Sequence, residues 1–213
     1  MITIKVFVFN PFQVNTYILH DETNECIIID PGCYDENEKT ELVDYIDVNN
    51  LEVIRIINTH VHTDHILGNA FICRHFGMGW ETHPDSKELW NLVREFGSVL
   101  NIQVEEIGLP KATFEDGDII KFGNSELEVL YTPGHAAGSA CFVNYEQKFV
   151  ISGDVLFRDS IGRTDLPTGD LNILTESIQT KLFTLDGDFV VYPGHGPETT
   201  ISYEKSYNPY VGL

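Results

Sequence analysis

The chain has 213 residues, 42 % of them hydrophobic and 22 % charged, a size and balance that give a single domain spanning 1–213 an ample core and exclude a disordered chain. Thirteen Lys and Arg stand against 33 Asp and Glu, a formal charge of -20. A field of that sign repels phosphate backbones and anionic lipid, which sets aside nucleic acid and membrane surfaces as partners and leaves the acids as a solubilising exterior.

The N-terminal run "MITIKVFVFNPFQ" has one Lys, no apolar stretch of signal length and Pro11, so neither a secretory signal nor a membrane span is expected, and the cytoplasm is the expected location. Cys26, Cys33, Cys73 and Cys141 show no CxxC spacing and read as reduced, mostly buried thiols. Apolar, β-branched runs at 2–9, 14–20 and 25–30, separated by "NPF" and "DETNE", predict a meander of antiparallel strands. "ENEKTELVDYIDVNN" places Leu42, Val43 and Ile46 on one helical face and leads to a buried strand at 51–57.

Beyond a histidine-rich loop, "ILGNAFICRHFG" predicts a helix, "GWETHPDS" a turn, and 86–100 a second amphipathic helix bearing Trp90, Val93 and Phe96. Strand pairs follow in "DIIKFG" with "ELEVLYT" and "SACFVNY" with "KFVISGD"; the helix "NILTESIQTKLFTL" and the strand "DFVVYPG" close the fold. Each half thus runs from strands to helix and strand, which predicts an α/β sandwich of two mixed sheets with helices on the outer faces.

The chemistry is concentrated in "NTHVHTDHILGNA". His60 and His62 sit where strand 51–57 runs out, and Asp64 and His65 follow after a turn at the start of the next helix. His135 in "LYTPGHAAGS", Asp154 in "VISGDVLF" and His195 in "VVYPGHGPE" each directly follow a glycine at a strand end, where the backbone can turn sharply and project a side chain from the sheet edge. Seven nitrogen and oxygen donors at four strand ends exceed what one zinc ion takes, so a binuclear site is the economical reading. Such donors accept zinc, iron or manganese, with zinc the first expectation.

These residues resemble the metallo-β-lactamase-fold hydrolases and their H-x-H-x-D-H signature. "THVHTDH", "TPGHAAGS", "SGDVLF", "GRTDLPTG" and "YPGHGPETT" are more closely similar to the glyoxalase II-like branch, a resemblance covering nearly the whole chain. It implies a four-layer αββα sandwich with His60, His62 and His135 on a first metal, Asp64, His65 and His195 on a second, and Asp154 bridging them. It also implies that Asp30 in "IIIDPG" supports the ligands, and that Asp64 is catalytic, orienting the attacking water. Lactam-hydrolysing members generally lack the bridging carboxylate, which argues against antibiotic hydrolysis.

The implied reaction is hydrolysis of a small-molecule thioester or ester of the S-lactoylglutathione kind. Glyoxalase II proper carries a further helical domain with basic residues for the glutathione carboxylates, whereas here Leu213 comes only 18 residues after His195, so recognition of a glutathione conjugate is expected to differ. Arg158 and Arg163 are the cations near Asp154 in sequence and the candidates for a substrate carboxylate, with a structural ion pair between Arg163 and Asp165 as the competing expectation. Trp90, Phe96 and Tyr145 are candidates for pocket walls, more readily read as core or lid packing. "GRTDL" also resembles persulfide dioxygenases, which would oxidise glutathione persulfide with one iron on the first-metal ligands. A member that has lost its chemistry would be expected to lack at least one of the seven donors. A monomer or dimer is expected.

Overall fold

The structure, a computed structural model, describes residues 1–90, 92 and 102–212. The first sheet is built from β1 (Thr3–Phe9), β2 (Val14–His20), β3 (Glu25–Ile29), β4 (Glu52–Ile57), β5 (Glu81–Thr82) and β6 (Ala112–Thr113), in that spatial order. β1 to β3 pair antiparallel as expected, and β3 to β6 pair parallel. The second sheet has β7 (Ile119–Phe122), β8 (Ser125–Tyr131), β9 (Ala140–Asn144), β10 (Phe149–Gly153), β13 (Val190–Pro193) and β14 (Thr199–Thr200), with only β10 and β13 parallel. A small ribbon of β11 (Leu156–Phe157) and β12 (Ser160–Ile161) stands beside it.

The period-two alternation of the strands decides the layers. Ile27 and Ile29 of β3 join Leu127, Val129, Phe142 and Ile151 in an apolar layer between the sheets. Their neighbours Cys26 and Ile28 face outward, packing with Leu42 and Ile46 of α1 (Glu36–Val48) and Ile72 of α2 (Asn69–Phe76). On the other sheet, Cys141, Val143 and Val150 pack with Leu174 and Ile178 of α4 (Leu171–Thr180) and Ile201 of α5 (Ile201–Tyr207). The result is the four-layer αββα sandwich. All four cysteines are free thiols, and Cys73 alone of them is not fully buried.

The structure departs from the sequence expectations at several points. Strand 51–57 is fully buried only at Ile56 and Ile57, because the rest of β4 sits under half-covered surface. "GWETHPDS" is not all turn: two of its residues form β5 and extend the first sheet. The predicted helix 86–100 is described only as α3 (Lys87–Trp90), and Val93 and Phe96 lie outside the described residues. Beyond the last predicted strand come β14 and α5, whose two- and seven-residue lengths are too short to show a period.

Direction matters for function. β8 and β10 are each antiparallel to β9, and β13 is parallel to β10, so all three finish at one edge of the second sheet. β3 and β4 finish together on the first sheet, and β2, antiparallel to β3, begins there.

Asp21, at the end of β2, ties the two sheets together. Its carboxylate accepts from the Thr23 amide and hydroxyl at 3.0 and 2.6 Å, and from the Asn124 amide and Ser125 hydroxyl, in the β7–β8 turn, at 2.7 and 2.8 Å. Burial pushes its pKa up, but these four donors outweigh it and hold the group down at about 2. A depressed carboxylate stabilises the fold above the unfolded value and loses that contribution as pH falls through the folded one. Asp21→Ala is expected to cost about 2 kcal/mol in urea unfolding at neutral pH. The gap from wild type should close as pH is lowered from about 4 toward 2.

Candidate metal centre

All seven predicted donors converge on the shared sheet edge. His60 and His62 lie in the loop after β4; Asp64 and His65 are in a 3-10 turn, Thr63–Ile66, that precedes α2 and is not yet part of it. His135, Asp154 and His195 follow β8, β10 and β13. Among the described residues, His60, His62 and His135 form one group with donor atoms within 4.8 Å of one another, and Asp64, His65 and His195 form another.

In the first group, His135 Nε2 lies 2.8 Å from His62 Nδ1 and 3.3 Å from His60 Nε2. In the second, Asp64 Oδ2 lies 3.1 Å from His195 Nε2 and 3.7 Å from His65 Nε2. Asp154 stands between them: its Oδ1 is 3.3 Å from His65 Nε2, and its Oδ2 is 3.6 Å from both His135 and His195 Nε2. His65 Nε2 and Asp154 Oδ1 are buried without a hydrogen-bond partner. Buried polar atoms are rarely left so, and a converging set of orphaned imidazole and carboxylate atoms fits metal ions.

The outer nitrogens explain why the rings point inward. The Nδ1 of His60 hydrogen-bonds Thr59 Oγ1 (3.0 Å), that of His65 donates to Asp30 Oδ2 (2.9 Å), and that of His135 to the Arg163 carbonyl (2.8 Å). His195 Nδ1 faces the carbonyls of Phe12 and Gln13 at 3.0 and 3.1 Å. Each bond fixes the tautomer that presents Nε2 to the centre. Asp30 also accepts from the Thr59 amide (2.7 Å) and hydroxyl (2.6 Å) and from Asn58 Nδ2 (3.3 Å), while its backbone sits at φ +50°. A third donor group, Asp30 with His60 and His65, is therefore already knit by these bonds and acts as support. Sequence reasoning does not single out Asn58 or Thr59; adjacency to the ligand run is the one signal they carry.

Two glycines are required by close approach. A Cβ on Gly194 would lie 2.1 Å from Asp154 Oδ1 and 2.8 Å from His65 Cε1; one on Gly134, at φ +121°, would lie 2.2 Å from the Leu174 amide nitrogen. The glycines before His135 and His195 thus make room for neighbouring atoms, and Gly134 also makes a left-handed turn.

Charge divides the two groups. Burial, reinforced by neighbouring imidazoles, holds His60 well below the usual histidine range, pushes His62 down to about 3, and lowers His135. That group consists of neutral imidazoles, the form that binds metal. Burial also opposes charge at His65 and His195, but Asp154 and Asp64 outweigh it and raise both. The same pairing outweighs burial at Asp64 and Asp154 and lowers them. A dication in the second group displaces protons, so its binding releases them.

A cleft of about 550 Å³ opens over the centre, lined by Asp64, Arg163 and an apolar wall that includes Phe12, Val61, Leu89, Phe157, Ile161 and Leu166. Arg163 forms a two-pronged pair with Asp165, both distances 2.7 Å. Arg158 does not line the cleft; it lies over the Tyr203 ring at 5.3 Å, turned there by α5. Trp90 packs on Trp80 (5.0 Å) and half-exposed Tyr145 on Phe189 (6.0 Å), both away from the cleft lining. No helix among the described residues is long and apolar enough to cross a membrane.

Known proteins are similar to this chain in sequence and fold. The chain is 34 % identical over 210 residues to hydroxyacylglutathione hydrolase GloC of Haemophilus influenzae, covering 98 % of this chain and 97 % of that one. The solved structure of TTHA1623 in a di-iron-bound form superposes with TM-score 0.87 at 32 % identity, over 97 % and 99 % of the two chains. BLEG-1 B3 metallo-beta-lactamase gives 0.88 at 30 %, over 98 % and 99 %, and ETHE1 from Myxococcus xanthus 0.79 at 25 %, over 98 % and 84 %. The sequence profile of the metallo-beta-lactamase superfamily matches residues 9–195, from the first turn to the last of the seven donors, and the chain belongs to that superfamily.

Proposed function

We propose that the protein is a binuclear metal-dependent hydrolase of the glyoxalase II-like kind, cleaving a small thioester or ester. The observation that carries this reading is Asp154, whose two oxygens face the two donor groups at 3.3 and 3.6 Å. His60, His62 and His135 would hold one ion and Asp64, His65 and His195 the other, with Asp154 shared; zinc, iron and manganese all suit this donor set. Two such ions supply a water acidic enough to ionise at neutral pH and an electrophilic contact for the carbonyl oxygen.

The chain's own residues do the rest. Asp64, lining the cleft, orients the attacking water. Phe157 and Ile161 cover the acyl group and limit bulk water. A thiolate leaves without a strong general acid, which suits a cleft whose described lining offers carboxylates and imidazoles already committed to the centre. Arg163, at the rim, receives a substrate carboxylate by exchanging its bond with Asp165. Four free thiols support a reducing compartment such as the cytoplasm.

The test is an assay of the metal-loaded protein on S-lactoylglutathione and on a neutral ester. Turnover of either supports hydrolysis; turnover of neither overturns it. The likeness to a B3 metallo-beta-lactamase removes the force of setting lactams aside by the bridging carboxylate alone, so a β-lactam is assayed in the same series. The likeness to ETHE1 favours a second reading, oxidation of a persulfide on one iron, which oxygen uptake with glutathione persulfide tests directly.

Arg163→Ala is expected to raise KM for an anionic thioester about five- to tenfold and leave a neutral ester unchanged. Stability should hardly move, since the pair with Asp165 is exposed. Lost stability with unchanged KM would make the ion pair its whole role.

A further inference from the structure

The turn between β1 and β2 carries none of the seven donor side chains, yet it grips one of the two donor groups. Asn10 and Gln13 both adopt the left-handed region, at φ +57° and +59°. Residues other than glycine hold such backbone only where the surroundings over-determine it. Asn10, 7 % exposed, supplies the determinants. Its amide donates to Glu38 Oε1 at 2.7 Å, and its Oδ1 accepts from the Phe12 amide at 3.0 Å. Its Nδ2 donates to the carbonyls of Gly32 (2.9 Å) and Asp64 (3.0 Å).

The turn so held aims the Phe12 and Gln13 carbonyls at His195 Nδ1. The chain then enters β2 against the His195 loop: the Asn15 amide donates to the Gly194 carbonyl at 2.7 Å, and Asn15 Nδ2 donates to the carbonyls of Pro193 and Gly196 at 2.9 Å each. One side chain thereby fixes Asp64 through its own carbonyl and His195 through two others. His60 and His135 are oriented from elsewhere, by Thr59 Oγ1 and the Arg163 carbonyl.

We propose that Asn10 is a positioning residue for the Asp64–His65–His195 group, with His60 and His135 of the other group oriented without the turn. This rests on the binuclear reading above. It makes occupancy of the two metal positions separable, because the outer partners that set ligand orientation govern affinity.

Zinc affinity, measured by competition with a chromophoric chelator, tests the assignment on two backgrounds. His62→Ala cripples the first group and His195→Ala the second. Asn10→Gly keeps the left-handed backbone accessible while deleting the side chain, and Asn10→Asp keeps the acceptor for the Phe12 amide while deleting the donor to Asp64. Either change is expected to weaken zinc binding about tenfold or more on the His62→Ala background. On the His195→Ala background the change should be less than about twofold. Equal weakening on both, with a matching fall in melting temperature, would make the turn a fold element only and overturn the proposal, as would no weakening on either. If the two parent backgrounds do not each hold one zinc ion, the binuclear reading fails and this assignment falls with it.

Discussion

Asp154→Ala is expected to abolish hydrolysis and lower the metal content from about two ions per chain toward one or none, in a protein that still folds. The side chain is the only described carboxylate within 3.6 Å of imidazoles from both groups, so no neighbour can take its place. Loss of an outer hydrogen-bond partner typically costs about 10–100-fold in affinity or activity, and loss of a shared ligand costs more. Folding should survive, because His65 and His195, which Asp154 raises, can shed their protons and remain buried as neutral imidazoles. The checks are elemental analysis and thioester turnover on the same preparation. Full activity with two retained ions would end the bridging role.

Asp30→Ala is expected to damage both fold and site. Asp30 is 1 % exposed and accepts from the Thr59 amide and hydroxyl, Asn58 Nδ2 and His65 Nδ1. Truncation strands a buried amide and a buried imidazole N–H, which costs about 3 kcal/mol or more. It also frees His65 to rotate, lowering metal affinity about 10–100-fold. Urea unfolding with excess chelator reads the first effect, and zinc competition reads the second. An unchanged midpoint in chelator would contradict the part assigned to Asp30 in the fold. Asp30→Asn, which keeps the shape and loses the charge, should recover part of the stability and less of the metal affinity.

The residues that announce themselves in the sequence are those whose spacing has one physical purpose. His60, His62, Asp64 and His65 stand out because so dense a run of donors has no packing role, and the Gly-ligand pairs at 134–135, 153–154 and 194–195 because a turn and a donor coincide. The sandwich of two mixed sheets was legible because each half runs from strands to helix and strand, and its four αββα layers were what the family resemblance implies. In the structure Cys26–Ile29 carry apolar side chains on both faces, as a sheet covered on both sides requires. β5, β6 and β14 are two residues each, too short for any period, and exist only because a longer neighbour pairs with them.

Support for the centre was less visible than the ligands. Asp30 could be marked through its place in "IIIDPG", but Asn10 and Thr59 look like ordinary turn and strand-end residues, since what they do depends on carbonyls and imidazoles far away in the chain. Arg158 and Arg163 were equivalent as sequence cations. The ribbon β11–β12 separates them, leaving Arg163 on the cleft and Arg158 over Tyr203.

The most direct measurement is elemental analysis of the full chain purified without added metal or chelator. About two transition-metal ions per chain are expected, in any mixture of zinc, iron and manganese, falling to about one in His195→Ala. One ion per chain in both proteins, or none in either, would contradict a binuclear centre.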